Sequence, residues 1–225
     1  MHDAMTLDLP EPVVDALRDR YLAGVADAQA GFGHFRSSED ALTGALGWEL
    51  SRRPEFVVPV GGAEYVVKVD FHKPRSGGLN SPERPYGIDG IFQIEVIDER
   101  GNVIGKKGLP FQAKTNWRGT NSTLAGQSAD INRSLRGGIV VNFTPSGNEA
   151  CTTKAAARAK GKYGLVKQAG EIKHLGQILA NDFLNCTVGT IGLLFDTGTE
   201  RFVGADGLNI APANAITTVV RRRLR

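Results

Sequence analysis

The chain has 225 residues, 41% hydrophobic and 23% charged, with a formal net charge of +3. Such values suit an ordinary soluble globular protein of one domain, long enough to bury a core without disulfides or metals. No apolar run approaches the roughly 18 residues that span a bilayer, so no membrane association is expected. The acidic start Met1-His2-Asp3-Ala4 lacks the basic-then-apolar pattern of a secretory signal. Two cysteines, Cys151 and Cys186, have no His or Cys at metal spacing, which argues against a disulfide scaffold or zinc finger; a cytoplasmic location is expected.

Charge is unevenly distributed. Residues 1–50 hold nine acidic and three basic side chains, a net of −6, whereas residues 151–175 hold six basic and one acidic, a net of +5. The chain ends in Arg221-Arg222-Arg223-Leu224-Arg225. This asymmetry suits a polyanion bound toward the C-terminal half; a solvated basic face accounts for the same charges.

In chain order, Pro10 and Pro12 open a helix whose apolar face is Val13, Leu17, Tyr21 and Val25, and Gly31-Phe32-Gly33 ends it. A second helix begins at Ser37-Ser38-Glu39-Asp40, read as a capping box with Ser37 as N-cap and Asp40 at the third position. Leu42, Leu46 and Leu50 form its stripe, Glu39 continues that stripe inward, and Pro54 stops the helix. Residues 56–60 and 65–69 read as strands around Gly61-Gly62, and the Pro/Gly-rich residues 73–86 as a loop. Strands are expected at Ile88–Ile97, Val103–Ile104 and Leu109–Lys114, followed by a helix with Leu124, Gln127, Ile131 and Leu135 on one face. Ile139–Phe143 is a short strand, residues 152–185 are helical in composition, Val188–Phe195 is a strand, and the end is irregular or extended. The order predicts an α/β layered domain around a mixed sheet.

Chemistry concentrates in the middle of the chain. Strand side chains alternate faces, so Gln112 and Lys114 point one way and Phe111 and Ala113 the other. Asp89 opens the preceding strand, so a hairpin sets its carboxylate beside the Gln112 amide and the Lys114 amine. Each residue alone has a plainer reading: Glu39 complementing a helix dipole, Asp89 in a turn before Gly90, Lys114 exposed at a strand end.

Glu39, Asp89 and Gln112-x-Lys114, in that order and at those element ends, resemble the signature of the PD-(D/E)XK restriction-endonuclease-like nucleases. The Gln-x-Lys form is similar to the Mrr-like branch and to nucleases of prokaryotic phage defence. The resemblance covers roughly residues 36–145; no Pro directly precedes Asp89, and neutral Gln112 replaces the commoner acidic ligand. It implies a restriction-endonuclease-like core, a central mixed sheet flanked by helices, in which a three-strand meander carries Asp89 and Gln112-x-Lys114. The chain is expected to be one nuclease domain: an N-terminal helical extension (1–35), a catalytic core (36–145) and a C-terminal elaboration (146–225).

The implied activity is metal-dependent DNA endonuclease chemistry in defence against foreign DNA. Alternatives are a nucleic-acid-binding or scaffold protein that lost useful catalysis, or a sequence-specific restriction enzyme. The implied catalytic set is Glu39, Asp89, Gln112 and Lys114. Mg²⁺, replaceable by Mn²⁺, would be held by Asp89, Gln112, the Ala113 backbone carbonyl and Glu39, with Gln127 in support. Double-stranded DNA is the expected partner, contacted by Trp117, Arg118, Lys154, Arg158, Lys160 and Lys162; a sensor or ATPase partner and a homodimer fit the same reading.

Overall fold

The computed structural model describes residues 7–36, 38–73, 88–204 and 212–224. Helix α1 (Glu11–Ala30) starts where proline costs least, because a first-turn residue has no intrahelical partner for an N–H. Val13, Leu17, Tyr21 and Val25 are all buried, as their spacing predicts. After a short α2 (Phe32–Phe35), α3 (Glu39–Ser51) packs its Leu42, Leu46 and Leu50 into the same core. Each such side chain, fully buried, contributes about 1.5–3 kcal/mol. The buried Arg20 of α1 donates to the carbonyls of Leu50, Arg53 and Pro54, closing the C-terminal end of α3 where a cation also meets the helix dipole.

The cap of α3 differs from the expected capping box by one residue. Ser38, not Ser37, is the N-cap, and its hydroxyl accepts from the Ala41 amide at 3.3 Å. Ser37 lies outside the described residues. Asp40 pairs with Lys73 at 2.5 Å instead of capping, and Glu39 becomes the first helical residue.

Strands β1 (Phe56–Val60) and β2 (Ala63–His72) form a hairpin, as do β3 (Gly90–Ile97) and β4 (Val103–Thr115), which turn through Asp98–Asn102. Helix α4 (Ser122–Leu135) crosses over to β5 (Ile139–Thr144), which lies parallel to the end of β4. A crossover helix is what a parallel neighbour requires. Strand β6 (Gly147–Thr152) pairs back on β5. Then come α5 (Thr153–Arg158), α6 (Tyr163–Gln168), β7 (Lys173–His174), α7 (Leu175–Gln177) and a π-helical turn, Ile178–Phe183. Thus the stretch 152–185, expected to be helical with more than one segment, is several short helical pieces interrupted by a two-residue strand. The expected strand at Val188–Phe195 reduces to β8 (Thr190–Ile191) and β9 (Leu194–Asp196), the latter paired with β10 (Arg201–Val203) apart from the main sheet.

The largest departure is at the C-terminus. Ala215–Leu224 is a ten-residue strand, β11, in the middle of the sheet. It runs antiparallel to β2 and parallel to β3, so the meander implied by the resemblance is split there. Its run Ile216-Thr217-Thr218-Val219-Val220 is β-branched throughout, which suits a paired strand. Arg221–Arg223 are therefore strand residues and not a loose basic tail.

The described residues form a nine-stranded mixed sheet in the order β1-β2-β11-β3-β4-β5-β6-β7, with β8 joined to β4. This is the expected α/β architecture, a mixed central sheet flanked by helices, and it is compatible with a restriction-endonuclease-like core. The main core lies between one sheet face and α1, α3 and α7. Smaller clusters under α4–α6 and under β9 cover the other face. Segments expected as an extension and an elaboration belong to this body: α1 shares the main core, and its Tyr21 hydroxyl meets Thr218 of β11 at 2.8 Å. Both cysteines are unpaired. Among the described residues no helix is long and apolar enough to cross a membrane.

Candidate functional site

The site forms where β3 begins, β4 ends and α3 starts. Backbone pairing between the Asp89 amide and the Phe111 carbonyl, 3.0 Å, sets Asp89 just before β3 and beside Gln112. Asp89 Oδ2 accepts from the Gln112 side-chain amide and, at 2.8 Å, from the Ala113 backbone N–H. The same Gln112 nitrogen lies 3.3 Å from the Ala113 carbonyl oxygen. A donor thus sits between two oxygen acceptors, the Asp89 carboxylate and the Ala113 carbonyl. These are two of the groups expected to hold a cation.

Alternation along β4 is as expected. Phe111 and Ala113 enter the main core, while Gln112 pairs beside Val140 and Lys114 beside Asn142 of β5. Near the strand end the Lys114 amine reaches Glu39 at 3.3 Å, and Glu39 also accepts the Thr115 amide at 3.1 Å. Lys114 is 15% exposed and Glu39 41%, so Glu39 is half-buried at the rim rather than aimed fully inward. Beyond Thr115 the chain turns through Asn116 at φ 51°, a conformation asparagine tolerates better than most residues. A pocket of about 430 Å³ opens over this junction, lined by Glu39, Asp89, Ala113 and Asn214 among others.

Asn214 was not anticipated. It precedes β11, is 1% exposed, and donates from Nδ2 to the Asp89 carbonyl at 2.9 Å. Its only sequence signal is an Asn before a β-branched run, 125 residues from Asp89. Gly90 permits the approach: a Cβ there would lie 2.2 Å from the Phe111 ring and 3.0 Å from the Asn214 carbonyl oxygen.

The oxygens Gln112 Oε1 and Asn214 Oδ1 are buried without a hydrogen-bond partner among the described residues. Leaving such an atom unsatisfied costs about 1–3 kcal/mol. The donor set of one carboxylate, a backbone carbonyl and neutral amide oxygens fits a hard cation that takes oxygen ligands and keeps several waters. Among the described residues no three His, Cys, Asp or Glu side chains gather as a metal cluster.

The other expected residues fall elsewhere. Gln127 lies on α4, its Oε1 buried and unpartnered, and makes no hydrogen bond to Asp89 or Gln112. Trp117 is a correction. It is 5% exposed, packs edge-on against Tyr163 at 5.4 Å and donates its indole N–H to the Gly161 carbonyl, so it is a packing residue and not a DNA-contacting one. Arg118 stacks on Tyr163 and pairs with Glu149, and Arg158 pairs with Glu171, so both are engaged within the protein. Lys154, Lys160 and Lys162 are exposed. The Lys160–Lys162 turn is held against the segment after Lys114 by the Thr120–Lys162 bridge and the Asn121 amide on the Gly161 carbonyl. Gly161 has φ 70°, and a Cβ there would lie 1.9 Å from the Asn121 carbonyl oxygen, so only glycine fits.

Comparison with protein-family models, with characterised proteins and with solved structures finds no match to this chain.

Proposed function

We propose that this chain is a metal-dependent nuclease that hydrolyses phosphodiester bonds of DNA at the Asp89–Gln112–Lys114 junction. The observation that carries the reading is the convergence of the Asp89 carboxylate and the Ala113 carbonyl on one point, now filled by the Gln112 amide nitrogen. Rotating that amide by half a turn exchanges its nitrogen for the unpartnered oxygen, and the donor becomes a third ligand. Asp89, Gln112 and Ala113 would then hold Mg²⁺ or Mn²⁺.

Bound there, a divalent cation supplies Lewis acidity, lowering the pKa of a water and stabilising charge on a phosphoryl oxygen. Asp89 supplies the negative charge that holds it. Lys114 sits at the strand end with its amine on Glu39, a residue lining the pocket, and would orient the attacking water or meet negative charge developing on the phosphate. Glu39 positions that amine through the ion pair and anchors the strand end through the Thr115 amide. Lys160 and Lys162, fixed beside the segment that follows Lys114, extend positive charge away from the site and suit the phosphates of a bound duplex.

A role in defence against foreign DNA rests on the family resemblance alone. The test of the activity is plasmid cleavage by the purified chain with Mg²⁺, with Mn²⁺ and with EDTA. Cleavage with either metal and none with EDTA is the expected result; a chain that binds DNA but leaves it intact under all three conditions favours the scaffold alternative.

A further inference from the structure

We propose that Asn214, delivered by the C-terminal strand, supplies a further oxygen to the divalent-cation site at Asp89. The inference rests on the metal-dependent reading above and adds a ligand from outside the residues that carry the family resemblance. Asn214 is 1% exposed yet lines the same pocket as Asp89, Ala113 and Glu39. Two hydrogen bonds fix it: Nδ2 to the Asp89 carbonyl at 2.9 Å, and its own carbonyl accepting the Ile91 amide at 2.9 Å. The first also fixes the amide's orientation, and it leaves Oδ1 buried with no partner among the described residues.

A purely structural asparagine at this junction would gain nothing from burying an unsatisfied oxygen, which costs about 1–3 kcal/mol. A cation or its water shell satisfies that oxygen. Charge supports the same assignment. Around the Ala113 carbonyl the strand pair offers the Asp89 carboxylate and the neutral Gln112 amide, and a hard cation with few charged ligands needs more neutral oxygens. The insertion of β11 between β2 and β3 is what brings this oxygen to the site.

The experiment is calorimetric titration with Mn²⁺ alone, paired with metal-free thermal melts, on wild type, Asp89→Ala, Asn214→Ala, Asn214→Ser and Asn214→Asp. The expected result is Mn²⁺ binding by wild type, loss in Asp89→Ala, and a fivefold or greater weakening in Asn214→Ala. Asn214→Asp should bind more tightly than wild type while melting lower without metal, because its carboxylate faces the Asp89 carbonyl with no donor. If Asn214→Ala does not fold, weakened binding by Asn214→Ser and tighter binding by Asn214→Asp carry the same comparison. Wild-type affinity in all folded Asn214 variants, with Asp89→Ala inactive in binding, overturns the Asn214 assignment and leaves the Asp89 site standing. No binding by wild type, or unchanged binding in Asp89→Ala, overturns the metal reading and the Asn214 assignment with it.

Discussion

Two polar clusters flank the C-terminal end of β4, and they are built on opposite terms. Under α5 and α6, Glu149 accepts from Asn142, Tyr163 and Arg118, Asn142 exchanges hydrogen bonds with the Trp117 backbone, and the Trp117 indole reaches Gly161. None of those side chains keeps a buried polar atom unpaired. At the Asp89 junction, Gln112 and Asn214 each keep a buried oxygen without a partner among the described residues. A satisfied network is what rigid packing selects, whereas persistent unsatisfied oxygens beside a carboxylate mark a place that something else completes. In the metal-site reading proposed above, the contrast separates residues that hold the fold from residues available for chemistry.

Substitutions on the two sides should therefore fail in opposite ways. Trp117→Ala removes a buried aromatic and should cost about 3–5 kcal/mol in denaturant unfolding, with DNA affinity of the remaining folded protein unchanged. Gln112→Leu removes the orphaned oxygen and replaces it with an apolar side chain of similar size. It should leave the melting temperature within a few degrees of wild type while lowering the single-turnover cleavage rate at least a hundredfold, about 2.7 kcal/mol of transition-state stabilisation. A Gln112→Leu protein that cuts normally but melts far lower would place Gln112 among the fold-holding residues.

Glu39 sits between the two behaviours, because it is both a first-turn helix residue and the partner of Lys114. Half-exposed, its ion pair and dipole interaction contribute about 0.2–1 kcal/mol each. Glu39→Gln should thus shift stability little and reduce the cleavage rate about tenfold, equal to about 1.4 kcal/mol. Lower melting with a wild-type rate would make it structural only.

Much of this contrast was legible in the sequence, and the exceptions have physical causes. The four-residue stripe of α1 and the order Asp89, Gln112, Lys114 depend on local periodicity and on a hairpin, both of which a chain displays directly. The α3 cap lies one residue beyond the expected one because Ser37 and Ser38 both offer a hydroxyl, and only the backbone decides which one ends the extended segment. Strand β6 gives no signal in the sequence because Gly147-Asn148-Glu149-Ala150-Cys151-Thr152 has no apolar alternation; it is buried by its neighbours, not by its own pattern. Strand β11 was hidden by Arg221–Arg223, which read as a basic tail although a β-branched run precedes them. Asn214 and the burial of Trp117 are tertiary facts: each depends on a partner far along the chain, at Asp89 and at Gly161.

Away from both clusters, the exposed lysines should contribute by charge alone. Replacing Lys160 and Lys162 with Gln should weaken DNA binding similarly on unrelated sequences and flatten the salt dependence by about 0.9 per lost phosphate contact. Fluorescence anisotropy across a salt series reads that slope, and an unchanged slope returns both residues to a solvated surface. A smaller effect concerns Glu95 of β3. Burial, with Asp196 nearby, raises its pKa above the ordinary value, partly offset by Lys106. The folded state then favours the protonated carboxyl. Its stabilisation is complete below the unfolded pKa of about 4.3 and is lost as pH rises through the folded value. Glu95→Gln should melt higher than wild type at pH 7, with the difference shrinking toward pH 4. A difference independent of pH would show that Glu95 does not titrate in this range.

The most direct test is single-turnover cleavage of duplex DNA in Mg²⁺ by wild type and by Asp89→Asn, with circular dichroism confirming that both are folded. Asp89→Asn keeps the shape of the side chain and removes the charge proposed to hold the cation. The expected result is cleavage by wild type that EDTA stops, and none above background by the variant. Cleavage by folded Asp89→Asn at the wild-type rate would show that the chemistry, if any, lies elsewhere in the molecule.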